Sequence, residues 1–330
     1  MIDNERIIVT GAAGFIGSHL CQALLAQGAS VVGVDNFDPY YSRERKELNL
    51  ESILKCDGSN GFEFFERDIC DQDAMSKVLK AQNTTGIVHL AAKAGVRPSI
   101  ADPVGYSKAN VLGTQCLLSA ASDHGCKRVV CASSSSVYGN NKKVPFSETD
   151  PVNNPISPYA ATKVSCELIA HAHHHISKMP IAMLRFFTVF GPRQRPDLAM
   201  SLFLSKVSDG DPINKFGDGT SSRDYTFIND IVTGIIASYL KIDNFGFRIW
   251  NLGGDHPTTL NEMIDTISQI VGKDATIHEM GMQPGDVDQT WADLSRSSQD
   301  LEYKASTSIR DGLEAQWAWM QSHQHVVNPK

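Results

Sequence analysis

Residues 6–26 join a β-branched run, a glycine turn and a helical stretch, and no other part of the chain limits the fold so strongly. Arg6-Ile-Ile-Val-Thr10 is followed at once by Gly11-Ala-Ala-Gly14-Phe15-Ile16-Gly17, then by Ser18 to Ala26, whose apolar residues recur with helical spacing. Glycines let a backbone turn tightly and approach a bound pyrophosphate, while the free N–H groups of a helix start attract its charge. The spacing is G-x-x-G-x-x-G, one residue longer than the usual dinucleotide-binding loop. The next strand, Ala29 to Asp35, ends in an acid where a carboxylate for the adenosine ribose is expected. Asp35 would accept the ribose hydroxyls and repel a 2′-phosphate, so the expected cofactor is NAD rather than NADP.

The rhythm continues. Phe62 to Ile69 reads as a third strand with Asp68 at its end, suited to the adenine amino group. Gly86 to Ala92 is a fourth, and Cys126 to Ser136 a fifth that runs into four serines. Helical stretches are expected over 71–82 and 101–124. This order predicts an α/β fold, a doubly wound parallel Rossmann-type sheet with ligands at the carboxyl ends of its strands. Beyond Arg185 the pattern loosens into turn-rich loops around a helical 199–209 segment, which suggests a smaller, partly interleaved α/β substrate lobe. We expect residues 1–185 plus about 224–255 to form the NAD-binding domain, and about 186–223 plus 256–330 the lobe. Helices are expected near 229–240, 259–271 and 307–321, and a strand at Arg248 to Gly253.

Tyr159-Ala-Ala-Thr-Lys163 places a phenol and an ammonium one helical turn apart, with Ser157 as N-cap and Pro158 at the first helical position. A phenol titrates near about 10 and acts as a base near neutrality only beside positive charge, which Lys163 could supply.

With Gly11, Gly14, Gly17, Asp35 and Ser134, this pair resembles the extended short-chain dehydrogenase/reductase family, in its nucleotide-sugar epimerase and dehydratase branch. The likeness spans nearly the whole chain and is greatest to the UDP-glucuronate 4-epimerases of bacteria and plants. It runs through Ala94 to Ser99, Ser133 to Gly139, Arg185 to Asp197 and Ser222 to Thr226. The resemblance implies Tyr159 as the base at the sugar 4-hydroxyl, Lys163 as the residue that binds the nicotinamide ribose and tunes it, and Ser134 as the hydroxyl relay. NAD would take the C4 hydride and return it to the other face after the ketone has turned over. Around the cofactor it implies Gly11, Gly14, Phe15, Ile16, Gly17, Asp35, Asn36, Asp68, Ile69, Leu90, Ala91 and Ala92. Around a UDP-sugar it implies Arg97, Ser134, Ser135, Ser136, Thr188, Arg195, Arg223 and Asp286.

Arg223 would grip the diphosphate, its alternative being an ion pair with Asp224. Gln283 stands where simple galactose epimerases carry an arginine, and Thr290 where they carry a bulky aromatic, so a larger sugar has room. Related dehydratases place Asp-Glu after the relay hydroxyl, and uronate decarboxylases place Glu at the position of Ser136. The four serines here carry no acid and could instead hold a sugar carboxylate, with Arg195 as its counter-charge. UDP-glucuronate is the expected substrate, with neutral UDP-hexoses and UDP-N-acetylhexosamines as alternatives. A non-catalytic NAD-binding regulator is the rival of another class.

A net charge of −7 over 330 residues, without a block of Lys or Arg, argues against nucleic acid and anionic membrane as partners. No apolar run reaches membrane-spanning length and the first residues lack a signal-peptide pattern, so a cytoplasmic setting is expected. Seven cysteines without C-x-x-C suggest neither a disulfide framework nor zinc. His171 and His175 stand at i and i+4, but no third ligand follows the pattern, and we read a histidine-rich helix end without metal. The family also implies a homodimer through a four-helix bundle of the 101–124 and 159–177 helices.

Overall fold

The computed structural model describes residues 2–82, 84–281 and 287–323. Among the described residues the strands are, in chain order, β1 (Arg6–Thr10), β2 (Ser30–Asp35), β3 (Phe62–Glu66), β4 (Gly86–His89), β5 (Arg128–Ser134), β6 (Ile181–Phe186), β7 (Thr188–Phe190), β8 (Ile213–Phe216), β9 (Ser222–Phe227), β10 (Phe247–Leu252), β11 (Pro257–Thr259) and β12 (Ile277–Met280). The helices among the described residues are α1 (Phe15–Leu25), α2 (Arg43–Leu54), α3 (Gln72–Gln82), α4 (Val96–Ala101), α5 (Pro103–Tyr106), α6 (Gly113–Asp123), α7 (Pro158–Ser177), α8 (Ala199–Asp209), α9 (Ile228–Lys241), α10 (Leu260–Val271), α11 (Ser295–Leu301) and α12 (Ile309–Ser322).

Seven strands form one parallel sheet in the order β10-β6-β5-β4-β1-β2-β3. The order reverses direction between β1 and β4, which opens a crevice at the carboxyl ends of those strands. Both faces of the sheet are covered, so its strands are apolar throughout rather than alternating with polar residues. Ile7 and Val9 pack with Leu20 and Leu24 of α1 and Ile231 and Ile235 of α9. Ile8 turns the other way, with Met75 of α3, Leu117 of α6 and Ala170 of α7. Each such Ile or Val is fully buried, worth about 1.5–3 kcal/mol apiece. Two small sheets, β11-β9-β7 and β12-β8, stand apart from the large one.

The sequence does not reveal α2, whose charged run Arg43-Glu-Arg-Lys-Glu lacks an apolar stripe. The stretch expected as one helix over 101–124 is broken. Asp102 accepts from the Gly105 amide and Pro103 opens a new turn, followed by a π-helical turn at Ser107–Leu112 before α6. The third strand stops at Glu66, which leaves Asp68 and Ile69 in the following loop.

Candidate active site

The glycine turn is a cradle that side chains would fill. Gly11 lies at φ +73°, and a Cβ there would meet the Ala91 amide nitrogen at 2.9 Å; at Gly17 it would stand 2.0 Å from the Gly11 carbonyl oxygen. Helix α1 begins at Gly14 without a side-chain cap, so its first amides face the crevice unshielded by a capping side chain. Asp35, at the end of β2, accepts from the amides of Ala13 (3.2 Å) and Phe37 (2.9 Å). Burial pushes its carboxyl upward, and Lys46 of α2, 3.8 Å away, pulls it back. These features suit a dinucleotide whose pyrophosphate lies on α1 and whose ribose meets Asp35.

One cleft of ≈ 610 Å³ runs along the strand ends, and Gly11, Gly14, Phe15, Ile16, Gly17, Asp35, Asn36, Asp68, Ile69, Leu90, Ala91 and Ala92 all line it. So do Ser134, Ser135, Ser136, Tyr159, Lys163, Thr188 and Arg195.

Helix α7 brings Tyr159 and Lys163 to the cleft as its start signal implies. Ser157 Oγ accepts from the Ala160 amide at 3.1 Å, and the Tyr159 amide, another orphan of the first turn, donates to Ser99 Oγ at 3.0 Å. The Tyr159 ring meets Tyr106 edge-on at 6.2 Å. Lys163 is 5% exposed and donates to the Ala132 carbonyl at 2.8 Å, which ties the helix to the end of β5. His89, beneath this pair, bridges Thr10 (2.7 Å) and Thr114 (3.1 Å); burial, then the Lys163 charge, pushes it down to about 3, so it stays neutral.

The serine run differs from expectation in one respect. Ser133 Oγ donates to Glu167 at 2.5 Å, so three hydroxyls rather than four are left for a ligand. Ser134 Oγ donates to Ser136 Oγ and accepts from the Ser136 amide, each at 3.2 Å. Glu167 is held in turn by Arg185 at 2.9 and 2.8 Å, and both are nearly dry. Sequence reasoning missed this Ser133–Glu167–Arg185 cluster. Its signal was an acid at i+4 from Lys163 on a buried helix face and an arginine inside an otherwise apolar β6.

Two expected substrate residues lie away from the cleft lining. Arg97, on α4, is exposed and stacks over Phe216 at 4.8 Å. Arg223, on β9, donates to the carbonyls of Ser222 and Asp288. Its expected alternative, an ion pair with Asp224, is absent from the described contacts. Asp224 is instead fully buried, accepts from the amides of Ala292 and Gly254, and is pushed up to about 6 by burial. Thr290 Oγ1 accepts from the Asp224 amide at 3.2 Å. Asp286 and Gln283 lie outside the described residues. His171 meets Phe247 edge-on and His174 bonds the Met179 carbonyl; among the described residues no group of three His, Cys, Asp or Glu could hold a metal ion.

A Rossmann sheet, a glycine cradle and a Ser–Tyr–Lys set in one cleft define an enzyme of the dinucleotide-dependent short-chain class. The profile of the NAD dependent epimerase/dehydratase family matches residues 7–253, and the chain belongs to that family, with NAD as its cofactor. A UDP-glucuronate 4-epimerase of Thermodesulfobacterium geofontis is 37% identical over 97% of this chain and 97% of its own. A crystal structure of UDP-glucuronic acid 4-epimerase from Bacillus cereus with UDP-glucuronic acid and NAD superposes with a TM-score of 0.90, at 38% identity, covering 96% of this chain and 99% of that one. The UDP-N-acetylglucosamine 4-epimerase of Methanobrevibacter ruminantium gives 0.87 at 30% identity, covering 97% and 99%.

Proposed function

We propose that this chain is an NAD-dependent UDP-sugar 4-epimerase that interconverts UDP-glucuronate and UDP-galacturonate. The observation that carries this reading is the meeting of Tyr159 and Lys163 with Ser134, Ser135, Ser136, Thr188 and Arg195 in one cleft. Bound NAD supplies a reversible acceptor for the sugar's C4 hydride. Tyr159 takes the 4-hydroxyl proton and later returns it, with Ser134 relaying it and Lys163 holding positive charge beside the phenol. The Ser135 and Ser136 hydroxyls and Thr188 bond the sugar carboxylate, with Ser134 beside them, and Arg195 balances its charge. The four-serine run itself carries no acid, and Glu167 beneath it is locked to Arg185.

The lobe of residues 186–223 plus 256–330 takes the nucleotide, with Arg223 and Asp286 at the diphosphate and uridine and Arg97 nearby. Exposed Val104, Leu112, Leu168 and Ile176 on the 103–123 and 158–177 helices support pairing with a second copy through four helices. Among the described residues no helix is long and apolar enough to cross a membrane. Seven unpaired cysteines fit a reducing, cytoplasmic setting.

Incubation with UDP-glucuronate and, separately, with UDP-glucose and UDP-N-acetylglucosamine, followed by NMR of the sugars, tests the assignment. UDP-galacturonate should form. Turnover of the neutral sugars alone overturns the uronate reading, and release of a pentose sugar overturns the role given to the serines.

A further inference from the structure

Arg195, the proposed counter-charge, already has a partner. Its Nε and Nη2 donate to the two oxygens of Asp197 at 3.0 and 2.7 Å, a bidentate grip on the edge with which guanidinium usually takes a carboxylate. The group lies over the Tyr40 ring at 4.7 Å, and Nη2 reaches the Tyr40 hydroxyl at 3.5 Å. That hydroxyl in turn donates to Asp197 at 3.4 Å, which closes a ring of three side chains. The loop itself is anchored, since Arg193 donates to Ser18 and Gln22 of α1 at 3.1 and 2.7 Å. Of the five guanidinium N–H groups, only those on Nη1 have no partner in this ring.

A sugar anion entering the cleft therefore meets a cation whose charge is largely compensated and whose bidentate edge is taken. The reaction makes such restraint useful. A 4-keto sugar must turn over between the two hydride transfers, and a full salt bridge to its carboxylate would fix one orientation, binding the ground state without helping the transition state.

We propose that Asp197 is a specificity-tuning and positioning residue, which holds Arg195 as a partly engaged counter-ion, strong enough to recognise a sugar carboxylate and too weak to clamp it. This rests on the uronate reading above. Asp197 is exposed and its side chain bonds Arg195 and Tyr40, so its substitution spares the core.

The test is Asp197→Asn, with Asp197→Glu as the conservative rescue and thermal midpoint and NAD content as checks on folding. Freeing the arginine edge should lower KM for UDP-glucuronate about five- to tenfold and lower kcat by a similar factor. The Kd for UDP-glucose should stay within about twofold, because that ligand carries no sugar charge. Asp197→Glu should return both constants toward the parent values. Unchanged constants, a raised KM, or an equal shift for UDP-glucose would overturn the proposal while parent turnover of UDP-glucuronate keeps the substrate reading intact. If the parent enzyme itself does not turn over UDP-glucuronate, the substrate reading falls and this proposal falls with it.

Discussion

The two ends of the cleft are built differently. At the nucleotide end, Gly11, Asp35, Asp68 and Leu90–Ala92 follow directly from parallel strands whose side chains are locked on both faces. At the other end, Arg195 stands in a loop and is positioned by Asp197 and Tyr40 rather than by the core. A fold can keep its cofactor geometry fixed and vary its substrate by changing loops, provided the proposed catalytic pair belongs to the rigid end. Tyr159 and Lys163 do belong there, through Ser99 and Ala132.

Substitutions can break this contrast or sharpen it. Tyr159→Phe removes the proton acceptor without disturbing the sheet, and kcat should fall by about 10³-fold or more while NAD stays bound; retained turnover in a steady-state assay would move the chemistry elsewhere. Glu167→Gln leaves Arg185 buried without its counter-charge, and urea unfolding should report a loss of about 3–5 kcal/mol. A loss below about 1 kcal/mol would show that the floor of the cleft is not the rigid element described here.

Asp35→Asn should weaken NAD binding by roughly tenfold to fiftyfold, measured by calorimetry, and narrow the preference over NADP. Asp224 offers a pH test at the lobe end. Its folded carboxyl, pushed up to about 6 by burial, binds a proton more tightly than an unfolded one near about 3.9. Its contribution to stability is therefore fully present below about 4 and is lost as pH rises through about 6, on the order of 3 kcal/mol in all. Asp224→Asn should remove that share of the slope in unfolding measured from pH 4 to 8. Arg223→Lys should raise the Kd for UDP about fivefold and leave NAD binding unchanged; an unaltered Kd would take the diphosphate away from β9.

The same contrast governs what could be read from the sequence. Strands that end in Gly, Asp or Ser announce themselves, because burial on both faces makes their apolar runs continuous and their polar ends conspicuous. The start of α7 was equally plain, since Ser157-Pro158 satisfies local capping rules. Helix α2 was not, because it buries Arg45, Lys46 and Asn49 beside a single apolar residue, Ile53, and with it went the Lys46–Asp35 contact. The Glu167–Arg185 pair joins residues 18 apart on different elements, and the Tyr40–Arg195 stack spans 155. Such pairings depend on tertiary placement that no periodicity encodes.

Lys46 has one more consequence. Its ammonium lies buried beside Asp35, lines the same cleft and is fixed by the Asp38 carbonyl at 2.9 Å. A cation able to receive a 2′-phosphate is thus already installed at the adenosine end, muted by a single neighbouring acid. Replacing that one carboxylate, as in Asp35→Asn, would leave the buried ammonium without its acid and open to a phosphate.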